Sequence, residues 1–179
     1  MIEEHKKMIM KKLSFDQFTK RIYIKANLKK LYWCWATEEG ITAWFLHTSI
    51  YSRNGNKLKP YEFVEAGDNY TWKWHNWDGE ENGHIIEANG IDKIVFSFAG
   101  ECEVEVTLKK SDGATLLTLT QSKIPLDEDN KLKIHYGCSN GWTFWLANLK
   151  AFLEYGIHLN ETEIDLRNKD LAGYEFVNM

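Results

Sequence analysis

Gly141-Trp142-Thr143-Phe144-Trp145-Leu146-Ala147-Asn148-Leu149-Lys150-Ala151-Phe152-Leu153-Glu154-Tyr155-Gly156 is the stretch that decides the architecture. Trp142, Trp145, Leu149, Phe152 and Leu153 recur at three- and four-residue steps, which lines one face of an α-helix. Ser139 and Asn140 offer cap-type side chains in front of it, and Gly156 offers a stop behind. About sixteen residues at ~1.5 Å rise make a rod of roughly 24 Å, long enough to cross a sheet. Residues 70–123, ahead of it, read as consecutive strands. The pattern predicts a curved sheet wrapped around one aromatic-faced helix, a layout that encloses a cavity.

Working outward, Phe18, Lys20, Ile22 and Ile24 alternate with their neighbours and predict a first strand over 17–25. Asn27 caps a short helix, Leu28 to Ala36, and Thr37-Glu38-Glu39 opens a second that ends near Leu46. Asn54-Gly55-Asn56 is a turn, with Tyr51 and Phe63 marking short strands on either side. Strands follow at Tyr70–Trp77, Gly83–Ala88, Lys93–Phe98, Cys102–Lys109 and Thr115–Lys123, joined by turns at 77–83, Asn89-Gly90 and Ser111-Asp112-Gly113. In the fourth of these, Cys102, Val104, Val106 and Leu108 face inward and Glu101, Glu103, Glu105 and Thr107 face water. Strands joined by short turns rather than crossover helices give an α+β class with about six to seven antiparallel strands.

The composition excludes several functions. The 179 residues carry a net charge of −4 with no basic stripe among the aromatics, which argues against nucleic-acid binding. The three cysteines, Cys34, Cys102 and Cys138, are far apart and lack C-x-x-C spacing, so reduced thiols in a cytoplasmic compartment are expected. No apolar run reaches the ~18 residues of a membrane span. Charge scattered through residues 1–12 rejects a signal peptide. The expected organisation is a leader over 1–14, one domain over 15–158, and a tail over 159–179 that lies on the surface or reaches a second subunit.

Three segments carry a resemblance. Leu28-Lys29-Lys30-Leu31-Tyr32-Trp33-Cys34-Trp35-Ala36-Thr37-Glu38-Glu39-Gly40-Ile41-Thr42-Ala43-Trp44-Phe45 is similar to a family segment in which a short helix leads into threonine, an acidic pair and a tryptophan-aromatic close. Thr118-Leu119-Thr120-Gln121-Ser122-Lys123-Ile124-Pro125 is similar to that family's last strand. Gly141-Trp142 with Leu149, Leu153 and Glu154 is similar to its closing helix. Over Phe15 to Gly156 the chain thus resembles the START / polyketide-cyclase-like (SRPBCC, birch-pollen-allergen-like) superfamily. Within it, the resemblance is to bacterial proteins similar to the C-terminal domain of the heat-shock-protein-ninety ATPase activator. The resemblance implies a helix-grip fold and, through the family name, a possible chaperone partner. Many members carry a histidine where this chain has Gln121, an amide with no acid/base role.

The residues offer little catalytic chemistry. No serine or cysteine sits in a nucleophile motif, and His47, His75, His84 and His135 are scattered. His75 and His84 flank the turn at 78–83, where a hairpin metal site competes with plain surface histidines. Glu101, Glu103 and Glu105 read as a solvated stripe that discourages edge pairing. Eight tryptophans are the anomaly. Packed core is one reading; the other is a cavity with aromatic walls, formed by Trp44, Tyr70, Trp72, Trp74, Phe96, Phe98, Trp142 and Trp145, with Thr118 and Gln121 among its polar groups. The expected function is non-catalytic binding of a hydrophobic or amphipathic small molecule, with no cofactor and no metal. A protein-docking module and a cyclase- or hydrolase-type enzyme are the alternatives, and a homodimer is a further possibility.

Overall fold

The computed structural model describes residues 13–179; the leader expected over 1–14 lies, for residues 1–12, outside them. The order is β1 (Phe18–Ile24), α1 (Leu28–Ala36), α2 (Glu38–Thr42), β2 (Thr48–Arg53), β3 (Asn56–Lys57), β4 (Asn69–Lys73), β5 (Glu81–Ala88), β6 (Lys93–Ser97), β7 (Glu103–Ser111), β8 (Ala114–Ser122), α3 (Glu128–Asn130), a π-helical stretch (Lys131–Tyr136), α4 (Gly137–Tyr155) and α5 (Ala172–Glu175). The eight strands form one antiparallel sheet ordered β1-β8-β7-β6-β5-β4-β2-β3. That is α+β, with the long helix gripped by the sheet. The strand count exceeds the expectation because β3 is a two-residue strand that only pairing reveals.

Side-chain alternation sets the two faces. Val104, Val106 and Leu108 of β7 are buried opposite Leu117, Leu119 and Gln121 of β8. Register places Val104 across from both Phe96 and Gln121. The outward Glu103 and Glu105 pair with Lys123 and Lys93, so the acidic stripe is solvated and neutralised. Asn27 caps α1 by accepting from Lys30 N at 2.8 Å, and Thr37 caps α2 by accepting from Gly40 N at 2.9 Å.

Helix α4 buries Trp142, Trp145, Leu146, Asn148, Leu149 and Ala151, the spacing expected of one helical face. Gly156 ends it in the left-handed region at φ 68°, with its N–H returned to Phe152 O at 2.9 Å. The start differs from expectation. Ser139 and Asn140 lie inside α4, because Asp127 caps the segment earlier (accepting from Asn130 N at 3.0 Å) and the chain runs through the π-helical stretch without a break.

Other boundaries shift for local reasons. Phe63 lies in a loop, not a strand, and α2 stops at Thr42. Strand β4 ends at Lys73 rather than Trp77, because Asn76 turns inward and its side chain binds the tail. Its Nδ2 donates to Glu161 O and its Oδ1 accepts from Leu166 N, both at 2.9 Å. Asn148 holds the same tail by accepting from Leu159 N at 2.6 Å. Leu166 and Ala172 are buried, so residues 157–172 strap back onto their own domain.

Candidate ligand-binding site

The concave face of the sheet carries the aromatics. Tyr70 and Trp72 of β4 stack with centroids 3.9 Å apart. Trp72 meets Phe96 edge-on at 5.2 Å, and Phe98 follows Phe96 at 6.3 Å. From the helix side, Trp142 approaches Phe98 at 5.3 Å and Phe45 at 5.1 Å, while Trp145 reaches Phe45 at 5.2 Å. Trp44 stacks on Phe45 and donates its indole N–H to Cys34 O at 3.0 Å. Trp74, half-buried, packs edge-on against Phe45 at 5.4 Å. All eight aromatics named from the sequence therefore meet in one cluster between sheet and helix.

The polar residues divide. Gln121 is fully buried, and its Oε1 accepts from Trp142 Nε1 at 3.0 Å. Thr118 is one step out of phase with Leu117 and Leu119, so period-two alternation puts it on the convex face, opposite Arg21 and Thr107. It does not join the cluster. The Tyr70 hydroxyl donates to Ser97 O, which commits its proton to the sheet.

Sequence reasoning missed three contributors. Trp35 is buried from α1 and meets Trp44 at 4.9 Å and Trp142 at 5.9 Å; its four-residue spacing from Leu31 was the available signal. Phe45 lies at the centre of the aromatic contacts. Glu81 falls within the turn that the sequence predicts at 77–83, yet it opens β5 as the register partner of Trp72. Partners across an antiparallel pair share a face, so the Glu81 carboxylate stands on the concave side. Its Oε1 accepts from Ala99 N at 2.7 Å, and burial raises its carboxyl above the ordinary value.

Among the described residues the buried Trp35 Nε1 has no hydrogen-bond acceptor, while Trp72 Nε1 lies beside the Tyr51 hydroxyl and Gln121 Nε2 beside the Cys102 and Cys138 thiols without closing well-formed hydrogen bonds. An unpaired buried donor costs about 1–3 kcal/mol. The thiols offer no nucleophile, since burial pushes Cys34 and Cys138 up to about 12. His75 and His84 do not form a hairpin pair. His75 packs on His47 with centroids 4.5 Å apart, and His84 Nδ1 lies 3.3 Å from Ser97 Oγ. Among the described residues no group of three or more His, Cys, Asp or Glu side chains is arranged to hold a metal, and no helix is long and apolar enough to cross a membrane. Of two surface hollows, one of about 340 Å³ lies on the outward face of β2, β4 and β5, lined by Ile50, Thr71, Asn82 and His84, on the far side of the sheet from Trp72. The other, of about 360 Å³, lies between Trp44, Phe45, His75 and the strap residues His158 and Asn160.

The family model for activator of Hsp90 ATPase homolog 1-like proteins matches residues 25–154. No curated protein matches the chain. Among solved structures, a Staphylococcus saprophyticus protein superposes with TM-score 0.64 at 20% identity, covering 80% of this chain and 95% of its own. The Aha1 dimer from Colwellia psychrerythraea gives 0.62 at 20% identity, covering 78% and 97%. DynU16, from the dynemicin biosynthetic locus, gives 0.62 at 19% identity, covering 82% of this chain and 50% of its own. At these identities the likeness is one of fold.

Proposed function

The chain belongs to the activator of Hsp90 ATPase homolog 1-like family, and from that premise we propose that it binds a hydrophobic or amphipathic small molecule between sheet and α4 without transforming it. The observation that carries this reading is the set of buried donors without well-formed hydrogen bonds inside an aromatic shell. An interior serving only as filler would be lined by groups that need no partner, because each unpaired N–H lowers stability. A ligand with an apolar body and a few acceptor oxygens satisfies both the walls and the donors. The raised thiols of Cys34 and Cys138 favour binding over covalent chemistry. The domain that does this spans 15–158 and acts in the cytoplasm, with the tail as an added strap.

The test is titration with an amphipathic naphthalene dye. Micromolar binding, about 8 kcal/mol of standard free energy, is expected together with quenching of indole emission, since several tryptophans line the space. A saturating dye that changes neither tryptophan emission nor melting temperature would overturn the reading. The family name favours a second one, a docking module for a chaperone ATPase, and retention of a purified heat-shock ATPase on the immobilised protein would support it.

A further inference from the structure

We propose that Cys102 and Cys138 form a redox clasp, two thiols that a peroxide converts to a disulfide tying the first turn of α4 to the residue that leads into β7. The clasp is a modification site separate from the binding function proposed above and does not depend on it.

The pairing follows from helix phase and strand register. Trp142 donates to Gln121 Oε1 at 3.0 Å, which sets α4 over the end of β8. At the other end of the helix Lys150 Nζ donates to Tyr23 O at 2.9 Å, and Glu154 Oε1 accepts from Lys25 N at 2.7 Å. Tyr23 pairs with Leu116, so that end of α4 lies beside the start of β8. The helix therefore runs backward along β8, and the turn before Trp142 lies over the stretch just past Gln121. Cys138 stands on that turn, four residues before Trp142 and on the same side. Cys102 reaches the same place from the sheet. It lies two residues before Val104, the register partner of Gln121, and its thiol donates to Lys123 O at 3.6 Å. Both thiols lie beside the Gln121 amide. Cys34, the third cysteine, belongs to α1.

Gln121 makes the pair more than two neighbours. Its oxygen is taken by Trp142, and its Nε2 is buried without a well-formed hydrogen bond, facing the two sulfurs. An N–H donor gains strength as a sulfur takes on negative charge, so this amide favours the thiolate of either cysteine. Burial acts the other way and raises both thiols, with the Glu81 carboxylate adding to it at each and Glu101 at Cys102. The resting pair is thus reduced and slow to react. Its small thiolate fraction does not serve catalysis, but it suffices for oxidation under sustained excess of peroxide.

The step needs one co-reactant, hydrogen peroxide or an organic hydroperoxide. The first thiolate attacks a peroxide oxygen; an S–O bond forms, the O–O bond breaks, and the departing hydroxide takes up the thiol's proton as water. The second thiolate attacks the sulfenic sulfur; the S–S bond forms, the S–O bond breaks, and a second water leaves with the second proton. The two sulfurs give up two electrons and the peroxide accepts them. Drawing the sulfurs into bonding distance moves the first turn of α4, which follows directly on the π-helical stretch Lys131–Tyr136. The wider π turn is the part of the helix best able to absorb that shift.

The experiment treats the full chain with excess hydrogen peroxide and reads intact mass and a peptide map without reductant. The expected result is a monomer lighter by about 2 Da, the two hydrogens that leave, with one cross-linked peptide joining 102 to 138. The thermal midpoint should rise by roughly 5–10 °C, because the unfolded chain is then constrained by a closed loop. Dithiothreitol should reverse both changes. Cys102→Ser and Cys138→Ser should each remove the mass loss and the rise in midpoint, whereas Cys34→Ser should keep them. The wild-type map decides the pairing even if a variant fails to fold. Sulfenic or sulfinic acids at either cysteine without a cross-link, a bond that involves Cys34, or a bond only between two chains would overturn the clasp.

Discussion

Trp142 and Gln121 are one hydrogen-bonded unit, the indole N–H of α4 donating to the side-chain oxygen of β8 at 3.0 Å with both groups buried. The bond joins the long helix to the sheet through the middle of the aromatic cluster. Its loss from either side strands the other partner. Gln121→Leu leaves the Trp142 N–H unpaired, and Trp142→Phe leaves the Gln121 oxygen unpaired. The double variant strands neither. We therefore expect the two single changes to exceed additivity, with a coupling of about 0.5–1.5 kcal/mol in urea denaturation. Strictly additive losses would show that the bond contributes nothing.

Asn148 secures the strap from inside the helix. Fully buried, it donates to Trp44 O and accepts from Leu159 N, both at 2.6 Å. Asn148→Ala leaves two backbone groups without these partners. A loss of roughly 2 kcal/mol is expected, with faster proteolysis within residues 157–168. Asn76→Ala should accelerate cleavage in the same segment, because its amide holds Glu161 O and Leu166 N. Unchanged cleavage in both variants would show that the strap is held by its apolar contacts at Leu166 and Ala172 instead.

Much of this architecture was legible in the residues because it depends on period and punctuation. The α4 stripe, the Asn27 and Thr37 caps, the Gly156 stop and the in-out alternation of 102–108 are local patterns that tertiary context leaves alone. The aromatic cluster was legible for a related reason: bulky side chains on the inner faces of helix and sheet have nowhere else to go. What was hidden depends on partners distant in sequence. Glu81 reads as turn beside Asp78-Gly79-Glu80, and only its pairing with Trp72 turns it inward. Thr118 reads as a polar group of the cluster by residue type, but strand phase, with Leu117 and Leu119 buried on either side, turns it to the other face. The strap was open because polar, loop-like sequence contains no sign of the two asparagines, Asn76 and Asn148, that bind it.

Arg53 and Asp68 should show an asymmetric response. Asp68 is 1% exposed and receives Arg53 Nε and Nη2 at 2.8 Å each, with Glu65 N at 2.8 Å. The Arg53 side chain is 35% exposed. Arg53→Met leaves a buried carboxylate with one donor and is expected to cost about 3–5 kcal/mol. Asp68→Asn leaves a cation that water can reach and should cost less, about 1–2 kcal/mol. Urea denaturation of both variants decides the order; the reverse ranking would mean that the carboxylate organises the Glu65–Asp68 turn more than it feels its charge.

His75 sets an acid limit on stability beside the strap. Partial burial lowers its pKa below the ordinary histidine value, with the neighbouring His47 ring, 4.5 Å away between centroids, as the second cause. The neutral form is thus favoured in the folded state. A histidine lowered on folding binds more protons when unfolded, so stability rises with pH across the window between the folded and unfolded values. That stability is fully present above about 6.5, the unfolded value, and falls away as pH drops through the lowered folded one. The midpoint of thermal unfolding should accordingly decline between pH 7 and pH 5, and His75→Gln should flatten the decline without altering stability at pH 8. Because Asn76 follows His75 and grips Glu161 and Leu166, the same acidification should speed proteolysis of the strap before the domain itself unfolds. An unchanged slope in His75→Gln would transfer the acid sensitivity to groups elsewhere in the domain.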